Sequence, residues 1–176
     1  MLPIAGNAAS SRLITNTALM KKRNIKSIKW SEWKSPSGKF HGFGKDLSAA
    51  VGDVPGGWPK SGHPFNLELG RVPPGKAVCP LHSHTTQYEL YVIVSGTGVT
   101  RTEKRRHKIK AGDVFMHEPG EAHQLINTGR RDLVYYLVAD NPPVDVYYYP
   151  DSDKWGMRPH RGPFKRVPVD YFDGEE

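Results

Sequence analysis

Cysteine is almost missing from this chain. Cys79 stands alone among 176 residues, so no intramolecular disulfide can staple the fold, and the usage fits a reducing compartment. No apolar run approaches the roughly 18–20 residues that cross a bilayer. A cytoplasmic protein without membrane or membrane-bound partners is the expectation. Acidic side chains are absent from residues 1–29, which hold Arg12, Lys21, Lys22, Arg23, Lys26 and Lys29. The formal charge of +7 is therefore local: with six of the 25 basic side chains there, the remaining 19 face 18 acidic ones. A body so close to neutral lacks the basic stripe that tracks phosphates, which argues against nucleic acid as a partner. Internal repeats and low-complexity tracts are missing too.

The acid-free start has two readings. It is a transit-type leader, or the true first residue is Met20 and the segment is a start placed too early. The second is preferred, because the apolar stretches are too broken for a secretory core. Residues 1–29 are set aside as this basic leader or mis-assigned start. Residues 30–64 are dense in Gly, Pro and Ser, yet carry Trp30, Trp33, Phe40, Phe43 and Trp58, which need something to bury against. They read as an N-terminal arm wrapping the next segment. One short helix is expected at Asp46–Val51, capped by Asp46 and stopped by Gly52.

From Phe65 the pattern changes to period two, the mark of half-buried strands. "FNLELGRV" is the first of these. Further strands are expected around Ala77–Ser83, at Glu89–Ser95, Val99–Glu103 and His107–Lys110, in "VFMH", at Ala122–Ile126 and at Leu133–Val138, separated by Gly- and Pro-bearing turns. About eight strands so spaced predict an all-β barrel or jelly roll over 65–140. Beyond it, residues 141–176 carry six prolines but also Tyr147–Tyr149, Trp155, Phe164, Tyr171 and Phe172. Proline argues against central strands there, and the aromatics argue against disorder. This is expected to be an extended C-terminal arm, with Tyr147–Trp155 as a lid or subunit contact.

The stretch Gly75 to Gly98, "GKAVCPLHSHTTQYELYVIVSGTG", carries the chemistry. On a strand, residues i and i+2 share a face about 7 Å apart, so His82 and His84 can converge on one ion at metal–nitrogen bonds of about 2.0–2.2 Å. Glu89 has the wrong parity for one uninterrupted strand; the chain is expected to turn at Thr85–Tyr88 and return the carboxylate from the neighbouring strand. His123, opening another strand, is the third imidazole. His82, His84, Glu89 and His123 together suit one divalent transition metal, Mn, Fe, Co, Ni, Cu or Zn, with positions left for water or substrate. His41, His63, His107, His117 and His160 read as surface or satisfied core residues. Cys79 reads as a packed thiol, and "RTEKRRHKIK" (101–110) as a solvated hairpin.

With those residues in place, the sequence resembles the cupin family. Gly75, His82, His84, Glu89 and Gly96 match the first motif, with one extra residue between Gly75 and His82. Gly112, Gly120, His123 and Asn127 match the second, except that Glu118 holds the slot of the usual proline and Pro119 follows it. The resemblance, over roughly 65–140, implies a double-stranded β-helix, a cupin or jelly-roll barrel with N- and C-terminal extended arms, and a homodimer in which the arms meet the partner.

By parity from Glu89, Tyr91 and Ile93 should point into the barrel, and Leu125 should follow His123, giving an apolar wall for a small-molecule substrate. Three functions are compatible, the first being preferred and the other two its alternatives. The first is a metal-dependent isomerase of a sugar or sugar phosphate, with Glu89 or a pocket base moving the proton. The second is a dioxygenase or decarboxylase of an organic acid. The third is a non-catalytic small-molecule binder. The resemblance covers all three, because they share one ligand set.

Overall fold

The computed structural model describes residues 20–52, 64–159 and 162–175. Residues 1–19 of the basic leader, Trp58, His63 and His160 lie outside them. Among the described residues the chain is almost wholly β. Its strands are β1 (Ser31–Lys34), β2 (His41–Asp46), β3 (Phe65–Val72), β4 (Ser83–His84), β5 (Glu89–Ser95), β6 (Thr97–Thr102), β7 (Arg106–Lys110), β8 (Val114–His117), β9 (His123–Ile126), β10 (Leu133–Asp140), β11 (Asp145–Tyr149) and β12 (Lys154–Arg158). The one α-helix among the described residues, α1 (Leu47–Val51), forms where Asp46 accepts the Ala49 N–H at 2.9 Å and ends at Gly52. No described helix is long and apolar enough to cross a membrane.

Two walls face each other as a double-stranded β-helix. The first is a six-stranded sheet in the order β1-β2-β3-β10-β5-β8. The second joins β7-β6-β9 to β12-β11-β4 through isolated bridges, Ala77 to Ile126 and His82 to His123. The strand expected at 77–83 is thus mostly a seam. Val78 N–H reaches Leu125 O and His82 N–H reaches His123 O, so Cys79, Pro80 and Leu81 leave the ladder between two bonded points. Pro80 has no N–H to offer it.

Directly paired residues project to the same side, so the registers sort the faces. Asn66, Ala139, Glu89 and His117 form one inward row; Glu68, Leu137, Tyr91 and Phe115 form the next; Gly70, Tyr135 and Ile93 follow. From the opposite wall, Thr102, His123 and His82, then Thr100 and Leu125, point back at them. The core cluster is Val72, Tyr91, Ile93, Ile109, Leu125, Leu133 and Tyr135, with Val78, Phe115 and Leu137 packed against it. Asn127 pins the loop behind β9. It is fully buried, donates to Val72 O and Arg131 O, and accepts from Gly129 N–H. At Gly96 the chain turns from β5 to β6 with φ +86°, and a Cβ there would lie 2.4 Å from Asp132 O. Only glycine fits both demands.

The segments outside the barrel strands also pair. β1 and β2 extend the first sheet beyond β3. In the C-terminal segment the prolines flank the strands rather than interrupt them. Residues 145–149 contain none, and β11 sits between β4 and β12, with Tyr147 opposite His84 and Tyr148 opposite Ser83. The expectation that proline excludes strands here fails for that reason.

Candidate metal centre

The four side chains singled out by spacing come together. His82, His84, Glu89 and His123 are half-buried or buried, and their donor atoms all lie within 4.8 Å of one another. His82 and His84 flank Ser83 and share the inward face. His123 is held opposite His82 by reciprocal backbone bonds of 2.8 and 3.2 Å. Glu89 differs from the expectation: β5 belongs to the facing sheet and does not neighbour β4. The turn at Thr85–Tyr88 carries the chain across the barrel, so the carboxylate meets the imidazoles from the other wall.

Hydrogen bonds fix the three rings. His82 Nδ1 lies 3.1 Å from Pro80 O, His123 Nδ1 3.0 Å from Glu121 O, and His84 Nδ1 2.6 Å from Asp145 Oδ2. Carbonyl and carboxylate oxygens only accept, so each Nδ1 carries a proton, and each Nε2 is left turned toward the other donors. His84 Nε2 is buried with no hydrogen-bond partner, 3.6 Å from Glu89 Oε1. His123 Nε2 lies 3.0 Å from Glu89 Oε2. A cation among these atoms would satisfy the orphaned nitrogen and the carboxylate together. Three imidazoles and one carboxylate fit a divalent transition metal.

The electrostatics differ from ligand to ligand. Burial works to raise the Glu89 carboxyl, but the His123 hydrogen bond and the charge of the His123 and His84 imidazoles hold it well below the usual carboxylate range. Burial, helped by His123 and His84, pushes His82 down to about 4, the neutral form a metal needs. Burial would also lower His84, yet the Asp145 and Glu89 carboxylates lift it to about 9, so an ion binding at Nε2 would have to displace a proton from it. Asp145, which burial would raise, is held at about 2 by His84 and Thr86. Burial and the nearby Glu89 charge push the Tyr91 phenol well above its ordinary value, so it stays protonated and donates to Glu89 Oε2 at 2.7 Å.

Of the residues expected to form the pocket wall, Tyr91 touches the site through Glu89. Ile93 and Leu125 are buried in the core cluster. His117 is a satisfied core histidine: it stacks on His123 with centroids 4.3 Å apart, and its nitrogens meet Thr100 Oγ1 at 2.9 Å and Glu121 Oε2 at 2.7 Å. His41 pairs with Glu32 at 2.9 Å, and His107 is exposed on β7. Burial raises the Cys79 thiol far above its ordinary value, as a packed thiol requires. A cleft of about 380 Å³ opens between β8 and the β6–β7 hairpin, with Thr100, Phe115 and His117 in its lining.

The sequence reading missed Asp145. It also gave Tyr147 and Tyr149 no place at the metal, although they share the inward face of β11 and stand 6.2 Å from the His84 ring and 6.0 Å from the His82 ring. The signal available was the alternation Asp145, Tyr147, Tyr149, a strand pattern with a carboxylate on its aromatic face.

Residues 68–139 match the family described as the cupin domain. An oxalate-binding protein of Thermotoga maritima is 41% identical over 68 residues, covering 39% of this chain and 55% of that one. The chain spans about half the length of the curated relatives it matches. Among solved structures, a predicted oxalate decarboxylase from Thermotoga maritima is 27% identical with a TM-score of 0.55, covering 68% of this chain and 97% of that one. A sugar phosphate isomerase from a cupin superfamily of Silicibacter pomeroyi is 20% identical with a TM-score of 0.67, covering 85% of this chain and 97% of that one. At that identity the second likeness speaks to fold alone.

Proposed function

The chain belongs to the cupin superfamily through its residues 68–139, and from that premise we propose a metal-dependent protein that takes a small oxygen-rich ligand at His82, His84, Glu89 and His123. A short organic acid is preferred over a sugar phosphate. The observation that carries the metal reading is the convergence of three imidazoles and one carboxylate within 4.8 Å, with His84 Nε2 buried and otherwise unsatisfied. The organic-acid preference draws on the 41%-identical oxalate-binding relative. The sugar-phosphate reading has support only from fold.

When bound, a divalent transition metal would supply Lewis-acid polarisation of a ligand oxygen, and four protein donors leave about two positions of a six-coordinate ion for it. The chain's residues do the rest. Tyr91 keeps Glu89 Oε2 engaged, and its high pKa keeps that bond donating at neutral pH. Glu89, held well below the usual range, serves as a ligand rather than a proton acceptor. Tyr147 and Tyr149 wall one side of the site and exclude water from it. Tyr91 supports Glu89 from the core cluster it shares with Ile93 and Leu125.

The test is calorimetry of oxalate, malonate and glucose 6-phosphate on Mn²⁺-loaded and metal-free protein, with CO₂ release and O₂ uptake followed in parallel. Oxalate should be retained only by the loaded protein, and His84→Ala should abolish retention. CO₂ without O₂ uptake identifies a decarboxylase, CO₂ with uptake an oxidase-type reaction, and binding without either a binding protein. Retention of glucose 6-phosphate but of neither acid would overturn the organic-acid reading.

A further inference from the structure

We infer that Asp145, on the C-terminal hairpin and outside the matched domain, is a positioning residue of the metal centre that fixes His84 as a ligand. This rests on reading His82, His84, Glu89 and His123 as metal ligands. Asp145 is 0% exposed, and its two oxygens do different work. Oδ1 accepts from the Thr85 and Thr86 backbone N–H groups at 3.1 and 3.0 Å, and from the Thr85 and Thr86 hydroxyls at 3.3 and 3.0 Å. Oδ2 is left for His84 Nδ1 at 2.6 Å. The first set locks the carboxylate in place, and the second sets which ring nitrogen of His84 holds the proton. A carboxylate behind a ligating imidazole keeps the other nitrogen's lone pair aimed at the ion.

The other two imidazoles are served by backbone carbonyls from their own segments, Pro80 O and Glu121 O. His84 alone of the three depends on a side chain 61 residues away. The backbone delivers it: Tyr147 pairs with His84 and Tyr148 with Ser83, while Thr85 N–H bonds to Val146 O at 2.9 Å. The hairpin is therefore part of the site.

Asp145→Asn discriminates, because an amide has one oxygen. If that oxygen keeps the two backbone bonds, its NH₂ faces His84 Nδ1 and forces the ring proton onto Nε2, the atom aimed at the ion. If it turns to His84, two buried N–H groups lose their acceptor. Either way His84 is a poorer ligand. The experiment titrates Co²⁺ into wild type, Asp145→Asn and Thr86→Ala, reading affinity, the visible d–d spectrum and the melting temperature of each metal-free protein. Asp145→Asn should bind Co²⁺ roughly 10–100-fold more weakly, with an altered spectrum. Thr86→Ala removes one hydroxyl donor to Asp145 but keeps both backbone N–H donors, so it should weaken Co²⁺ binding far less than Asp145→Asn; an equal loss in the two variants would assign the effect to general destabilisation and overturn the inference.

Equal affinity and an identical spectrum in Asp145→Asn would overturn the inference and leave the ligand reading standing. Failure of the wild type to take Co²⁺ would sink both. Should Asp145→Asn not fold, ¹⁵N NMR of the Zn²⁺-loaded wild type decides: the proton on His84 Nδ1 supports the assignment, and its presence on Nε2 refutes it.

Discussion

Glu68 offers a quantitative check on the barrel interior. It projects inward from β3, pairing with Asp46 on β2 and Leu137 on β10, and its carboxyl lies over Gly44. Burial first, then the Asp46 and Glu89 charges, raise it from 4.5 to about 7. The folded protein thus holds this proton more tightly than the unfolded chain. Its contribution to stability is fully present below pH 4.5 and is lost as pH rises through about 7. At about 1.4 kcal/mol per pH unit the loss would reach ~3 kcal/mol, and partial exposure to water reduces this to ~2 kcal/mol. Glu68→Gln, which cannot ionise, should remove the loss. Thermal unfolding in chelator at pH 5 and pH 8 reads it directly: nearly equal melting temperatures at pH 5, and a variant about 4–8 °C more stable at pH 8. A shift of the same size at both pH values, or a less stable variant at pH 8, would refute the reasoning.

Three further outcomes follow from other positions. Asn127→Ala strands Val72 O, Arg131 O and the Gly129 N–H and should cost ~2–4 kcal/mol in urea unfolding while leaving Co²⁺ stoichiometry intact. Gly96→Ala meets both a left-handed φ of +86° and Asp132 O at 2.4 Å; a loss of more than ~2 kcal/mol, or insoluble expression, is expected. Tyr91→Phe removes the donor to Glu89 Oε2 and should weaken Co²⁺ binding several-fold, with the far-ultraviolet circular dichroism unchanged.

Much of the barrel was legible because local signals agreed. The run Glu89–Ser95 alternates cleanly and ends at a glycine, and the structure places β5 on those seven residues. The helix at 47–51 had both its cap and its stop in view. β1 and β2 were obscured because two of their inward positions are glycine: a Cβ on Gly42 would lie 2.4 Å from the Trp33 ring, so the partner's indole fills the space a side chain would have marked. The strand expected at 77–83 read as continuous because pattern alone does not reveal where a ladder is broken. The C-terminal hairpin was hidden by counting prolines over the whole segment rather than within residues 145–149.

The metal donors were legible from spacing and resemblance, while their assembly was not. Parity required a turn between His84 and Glu89, but only tertiary structure decides whether the next strand lies beside the first or across from it. For Asp145 the alternation with Tyr147 and Tyr149 could mark a carboxylate on a strand face, but not the imidazole it meets 61 residues earlier.

Because Glu89 stands on one wall of the barrel and the three histidines on the other, an ion held by all four would rivet together two sheets that the His123–Glu89 contact of 3.0 Å otherwise joins at that rim. Prying the rim open costs the ion its carboxylate, so loading makes the mouth stiffer than the protein alone would be. Hydrogen exchange should slow at the β5 and β9 amides near Glu89 and His123, while the hairpin tip at Lys104–Arg105 keeps its metal-free rate.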